Sequence, residues 1–250
     1  MFRSSSQNEK IEISHILSRK TIVKRETQPK VMIMETKIVY FNESGPQNTE
    51  SVIEAVKDRL ERSDIKHVVV ASESGKTALK VAKALKDLDV KVVCISGYAG
   101  IRKVEGRPWP DIKGEIKEDL NSLNVKILSE TPWIFKSSAI DYQFLGEASP
   151  SGVMHKVLSR LMGYGFKTAI EITLLAADAG AIPIDKEVIS IAGTGWLGGG
   201  ADCAIIVRPS VLPDAWFIDA EKGIEVREII AIPRVKFNER LIKLLKGKSI

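Results

Sequence analysis

From Lys37 onward, short β-branched runs alternate with amphipathic helical patterns, and this alternation restricts the fold more than any other feature of the chain. Lys37 to Phe41 reads as a strand. Asn48 or Thr49 can cap a helix running to about Arg62, in which Val52, Ile53, Val56 and Leu60 recur on one face. His67 to Ala71 is a buried strand, Gly75 to Leu88 a helix with Ala78, Val81, Ala82 and Leu85 inward, and Val90 to Ile95 the next strand. Such a succession implies a parallel sheet with right-handed crossovers. The expected fold class is therefore α/β: a three-layer, open, mostly parallel sheet with helices on both faces.

Later segments continue the theme less regularly. Gly97 to Pro110 is a long connection, Gly114 to Leu123 a helix and Val125 to Leu128 a short strand. Thr131 to Gly152 shows no periodicity; its Trp133, Phe135, Tyr142 and Phe144 suggest an ordered, packed loop. Ser151 to Met162 reads as a helix, with Gly163 and Gly165 as stop and restart signals. Phe166 to Ala179 is apolar almost all round, hence a buried helix. Glu187 to Ala192 and Cys203 to Val207 are strands flanking a Gly-rich loop, Ile224 to Ile232 is a last strand, and Phe237 to Leu245 a terminal amphipathic helix.

Residues 1 to 34 lack such patterning and read as a basic, loosely ordered extension ahead of one domain over 35 to 250. Met34 is a candidate true start. Residues 1 to 33 hold seven basic and three acidic side chains, +4 of the chain's net +5. The rest is almost neutral and offers little attraction to a polyanion, so no specific nucleic-acid partner is expected. No apolar run approaches the roughly 20 residues of a membrane span. Met1 to Lys10 has no signal-peptide core. A cytoplasmic protein is expected, with no membrane partner. Cys94 and Cys203 each sit in an apolar run without a CxxC pair, which points to buried thiols and no metal site.

Three features carry candidate chemistry. Val70-Ala71-Ser72-Glu73-Ser74-Gly75-Lys76-Thr77 ends a buried strand and opens a helix. The first amides of a helix have no intrahelical acceptor and carry partial positive charge, so an anion is stabilised there. Gly75 permits close approach, the hydroxyls of Ser72, Ser74 and Thr77 add donors, and Lys76 adds a counter-charge. A nucleotide P-loop is excluded because it needs Gly five residues before Gly75, where Val70 stands. The structural alternative is that Ser74 is an N-cap and Gly75 a tight turn.

The second feature is Gly193 to Gly200, with five glycines in eight positions. Ordering that many glycines is entropically costly if the loop has no work; close backbone approach to a ligand is one reason for them, and a plain β-turn or bulge is another. Trp196 is placed to stack on a ring or to cover the core. The third is Glu171, a carboxylate in an apolar helix, which requires partners from a ligand or from the protein. His15, His67 and His155 show no pairing with a nucleophile, and no carboxylate pair suggests a hydrolase.

Val68 through Ala78 resembles the strand, phosphate loop and helix of the pyruvate kinase C-terminal domain, and Gly195-Trp196-Leu197-Gly198-Gly199-Gly200 its later Gly-Trp loop. The chain is more similar still to stand-alone archaeal and bacterial proteins of the pyruvate kinase α/β domain family. The similarity runs through Tyr40 to Gly45 with Asn48 to Glu50, Glu171 to Pro183, and Ile191 to Thr194. The resemblance implies a ligand site at the strand C-terminal ends and flavin mononucleotide (FMN) as the ligand. It implies no kinase activity, because the catalytic barrel has no room in 250 residues. The expected cofactor-binding set is Ser72, Ser74, Gly75, Lys76, Thr77, Gly97, Glu171, Gly193, Thr194 and Gly195, with Ala71 and Ser96 to Gly100 at the pocket floor and rim. The expected partner is a phosphorylated small molecule. The alternatives are a flavin-dependent oxidoreductase and a sugar-phosphate sensor. The sequence names no catalytic base, and it leaves the oligomeric state open, a homo-oligomer included.

Overall fold

A computed structural model describes residues 34–97, 100, 111–129, 133–135, 140–194, 199–216 and 221–246. The chain divides into two units, Met1–Thr36 and Lys37–Ile250. The described elements all belong to the second unit. They are β1 (Val39–Glu43), α1 (Thr49–Leu60), β2 (His67–Ala71), α2 (Lys76–Leu85), β3 (Lys91–Ile95), α3 (Gly114–Ser122), β4 (Lys126–Leu128), α4 (Ile140–Leu145), α5 (Pro150–Met162), α6 (Tyr164–Asp178), β5 (Val188–Ala192), β6 (Cys203–Arg208), β7 (Glu225–Val235) and α7 (Glu239–Lys246).

The strands form one seven-stranded sheet in the order β1-β7-β6-β5-β2-β3-β4. Only β6 runs antiparallel to its neighbours. The period-two alternation of β side chains divides the core cleanly. Val68 and Val70 of β2, Val92 and Cys94 of β3, and Ile189 and Ile191 of β5 point to one face, where α1, α2 and Leu120 of α3 cover them. Val69, Val93 and Ile95 point to the other, against Ile172, Leu175 and Ala176 of α6. Cys203, Ile205 and Val207 meet Phe166, Ala169 and Leu174 on that same face. A sheet covered on both sides explains why β2 and β5 are runs of apolar residues rather than alternations. Both cysteines are fully buried.

The sheet order reverses between β2 and β5. The chain builds outward from β2 through β3 to β4, then returns to add β5 on the other flank of β2. Open α/β sheets bind ligands beside the carboxyl ends of the strands at such a reversal. The register aligns Val70 with Ile191. Ser72 and Gly193 each stand two residues beyond this pair.

Three details differ from the sequence reading. The segment from Thr131 to Gly152 contains a short helix, α4, and the start of α5, whose cap is Ser149, its Oγ accepting from the Gly152 amide at 3.0 Å. Six residues are too few to display a helical period. Trp133 and Phe135 pack inward as expected, but Phe144 stands exposed. Gly165 lies inside α6, and only Gly163, at φ 92°, separates it from α5. Finally, β7 extends to Val235 through Pro233. Its pairing with β6 ends at Ala231, so the proline interrupts no ladder on that side.

Candidate functional site

The turn from β2 into α2 is strapped to the end of β3. The Ser72 amide donates to the Ile95 carbonyl at 2.9 Å, and the Ser96 hydroxyl donates to the Glu73 carbonyl at 3.4 Å. The Glu73 carboxylate accepts from the Gly97 amide at 2.7 Å. Gly75 closes the turn as the N-cap of α2 at φ 76°, ψ −14°, a left-handed conformation that glycine adopts without strain. Its hydrogen side also faces α3: a Cβ there would sit 2.7 Å from Ile116 Cγ2 and 3.1 Å from Ile112 Cγ2. Gly75 is therefore required by backbone conformation and by packing, quite apart from any ligand.

Ser72 turns its side chain into the helix start, where its Oγ accepts from the Thr77 amide at 3.1 Å and the Ala78 amide at 3.2 Å. The amides of Ser74 and Lys76 have no acceptor among the described residues, while Gly75 N–H is bonded to the Ser72 carbonyl. The open polar surface at this turn is thus narrower than that of a bare helix N-terminus. It comprises two open amides, the exposed Lys76 and one hydroxyl already polarised by two N–H donors. A hydroxyl that accepts twice still has its own proton to donate. Thr77 is buried, and Ser74 is half-buried.

Gly193 follows β5 against the returning arm of the hairpin, where a Cβ would lie 2.5 Å from the Gly200 carbonyl oxygen. Gly200 has φ 69° and abuts Pro46 and Thr49, and the Ala201 amide donates to Thr49 Oγ1 at 3.0 Å. Close contact between protein segments thus accounts for these glycines. Thr194 is buried. Gly195, with Trp196, lies outside the described residues, as do Tyr98, Ala99 and the basic N-terminal segment.

Glu171 is fully buried, but not at this edge. The carbonyl of Ala169, half a turn before it, accepts from Ser190 in the middle of β5. One carboxylate oxygen takes the Lys167 ammonium at 2.8 Å and the other the Phe135 amide at 2.8 Å. The protein itself supplies the partners that the sequence required. Glu171 pins the segment after β4 to α6, and Lys167 was identifiable only as the basic residue one turn away.

Two residues escaped the sequence reading. Glu73 sits between the Ser72 and Ser96 loops; its position in the loop was visible, its bond to Gly97 was not. Asp202 is buried at the entry to β6. Its Oδ2 accepts from the Gly45 amide at 2.9 Å, while Oδ1 has no hydrogen-bond partner. Oδ1 faces Gly165, where a Cβ would sit 2.4 Å away, so α6 needs glycine there. Burial raises the Asp202 pKa from 3.8 to about 7, against the opposing pull of the Gly45 amide and Lys236. The signal was an acid directly before a continuous apolar strand. Burial also pushes the Cys94 thiol to about 12, with the Glu73 charge adding to it, and raises Cys203 well above its usual value. Neither thiol forms a reactive thiolate.

Next to Gly45 a shallow depression with a cavity volume of about 10 Å³, room for little more than one water, opens between the ends of β1 and β5 and the start of α7, lined by Ser44, Gly45, Pro46, Thr194, Asn238 and Arg240 among others. Sites that enclose small molecules run to roughly 300–1,000 Å³, so this one alone does not enclose an organic cofactor. Among the described residues no group of three or more His, Cys, Asp or Glu is placed to hold a metal ion. No helix among them is long and apolar enough to cross a membrane. No protein-family model matches the chain.

Proposed function

We propose that the chain binds a phosphorylated small molecule, FMN first among them, with its phosphate at the β2-to-α2 turn, and that it is a pyruvate kinase C-terminal-like domain without kinase activity. The observation that carries the reading is the open pair of amides, Ser74 and Lys76, beside the Lys76 ammonium and at the point where the sheet order reverses. These groups fit a phosphate. The Ser72 hydroxyl, held by Thr77 and Ala78, donates to it, so Thr77 acts through Ser72 rather than directly. Glu73 is an acceptor suited to a ligand hydroxyl. A charge-assisted contact contributes about 1.5–3 kcal/mol, and micromolar affinity requires about 8, which four such groups reach at about 2 each.

FMN, when bound, would supply redox chemistry; the residues of the turn orient it and neutralise its phosphate. The test is the visible spectrum of the purified protein, followed by titration of the apo form with FMN. Flavin absorbance or saturable binding is expected, weakened at least tenfold by Lys76→Glu and by rising salt. A colourless protein that ignores added FMN would leave the sugar-phosphate reading. Lys76→Glu with unchanged affinity for any phospholigand would remove the site.

A further inference from the structure

The helix α5 is apolar on two opposite sides, and the described residues cover only one of them. Its inner side lies on α6, with Leu158 and Met162 joining the core beneath. On the opposite side Val153, Val157 and Leu161 recur every four residues, so they stack on one face. They are 47%, 48% and 68% exposed. Beside α5, Asp141 of α4 accepts from the amide and the hydroxyl of Ser151, both at 2.9 Å. α4 brings Ile140, Phe144 and Leu145, all highly exposed, with Phe144 at 82%.

We infer that the outer face of α5, flanked by α4, is the contact between two copies of this chain across a twofold axis beside Val157. The area favours this occupant. Taking about 180 Å² for a fully exposed large apolar side chain, the six residues leave roughly 600–700 Å² uncovered. This is at or above the largest patch of an ordinary monomer and near the ~800 Å² per partner of a stable interface. The stripe is also self-complementary. Val153 and Leu161 stand equally far from Val157 in sequence. An antiparallel α5 pair therefore sets the smaller Val153 against the larger Leu161 twice, and Val157 against its own copy, as an isologous contact requires. Polar groups border it: Lys156 pairs with Glu147 at 2.6 Å, and Arg160 lies over Phe237. An apolar centre with a polar rim is the usual anatomy of such an interface.

Sedimentation velocity of the full chain at micromolar concentration tests the proposal. The expected mass is twice 27.6 kDa. Val157→Glu and Leu161→Glu, both at exposed positions, should each convert it to a monomer that still unfolds in one cooperative thermal transition, lowered by the loss of association. Val157→Cys should form an intermolecular disulfide on oxidation, because Cys94 and Cys203 are buried and do not compete, whereas Val153→Cys should not link to its own copy. A monomeric native chain overturns the proposal, as does a dimer that survives both glutamate variants. A chain that dimerises only after deletion of residues 1–33 overturns it as well, since the face is then covered by the N-terminal segment. Monomers that bind anionic vesicles through α5 would make the face a membrane contact instead.

Discussion

Asp202 holds a proton in the folded protein that the unfolded chain gives up. With a native pKa of about 7 against 3.8, the folded state binds more protons throughout that interval. The unfolding free energy therefore falls as pH rises from about 4 to 7, by on the order of 4 kcal/mol, and is level beyond. Asp202→Asn should keep the Gly45 bond and flatten this slope, gaining most above pH 7; urea midpoints across the range measure it. A slope unaltered by the substitution would assign the proton elsewhere. The buried ion pair gives a second residue-level expectation. Lys167→Met leaves Glu171 charged with only the Phe135 amide, at a cost of about 3–5 kcal/mol, and the double variant Lys167→Met with Glu171→Leu should recover most of it. Equal losses in the single and double variants would contradict the pairing. The sequence showed that Glu171 needs partners and that Gly75 needs freedom. It could not show that α3 presses on Gly75, or that Lys167 and Phe135 reach Glu171, because such contacts are set by how the chain packs and not by any local pattern.

At the scale of the element, periodic patterns were legible wherever two or more turns repeat. α1, α2 and α6 lie where their apolar spacing puts them, within a few residues at the ends. α4 was not legible because six residues hold too little periodicity, and Pro233 discouraged extending β7. The turn from β2 into α2 was legible as a strand-to-helix junction. Which of its groups stay open was not, since nothing local shows that the Ser72 oxygen is taken by the Thr77 and Ala78 amides, leaving only its proton to give. The double-sided α5 was hidden for a related reason: its outward valines look like core residues until α6 is seen to occupy only one side.

For the whole molecule, the alternation of strands and helices announced a mostly parallel sheet, and the sheet is one. The strand order was beyond reach, because neighbours such as β2 and β5 are chosen by which faces fit and not by sequence proximity. The reversal sets β2 and β5 side by side, so the turn that leaves β2 and the segment that leaves β5 start from neighbouring strands. β4, only three residues long, ends the sheet at one side; an edge so short offers little to a stray strand. β1 forms the other edge and pairs only with β7, Val39 opposite Ala231.

Among the described strands β1 is made first, and β7, the neighbour it pairs with, is made last, so a long stretch of chain is synthesised between the two. Closing so long a loop is entropically slow, so the last stage of folding should be the docking of β7 between β6 and β1. A chain ended before Glu225 should accordingly lose its single sharp thermal transition and expose β1 to protease, and a truncated product that still melts cooperatively would show that the other six strands stand alone. Until β7 is in place, the facing flanks of β1 and β6 are open edges at which a nascent molecule is vulnerable to aggregation.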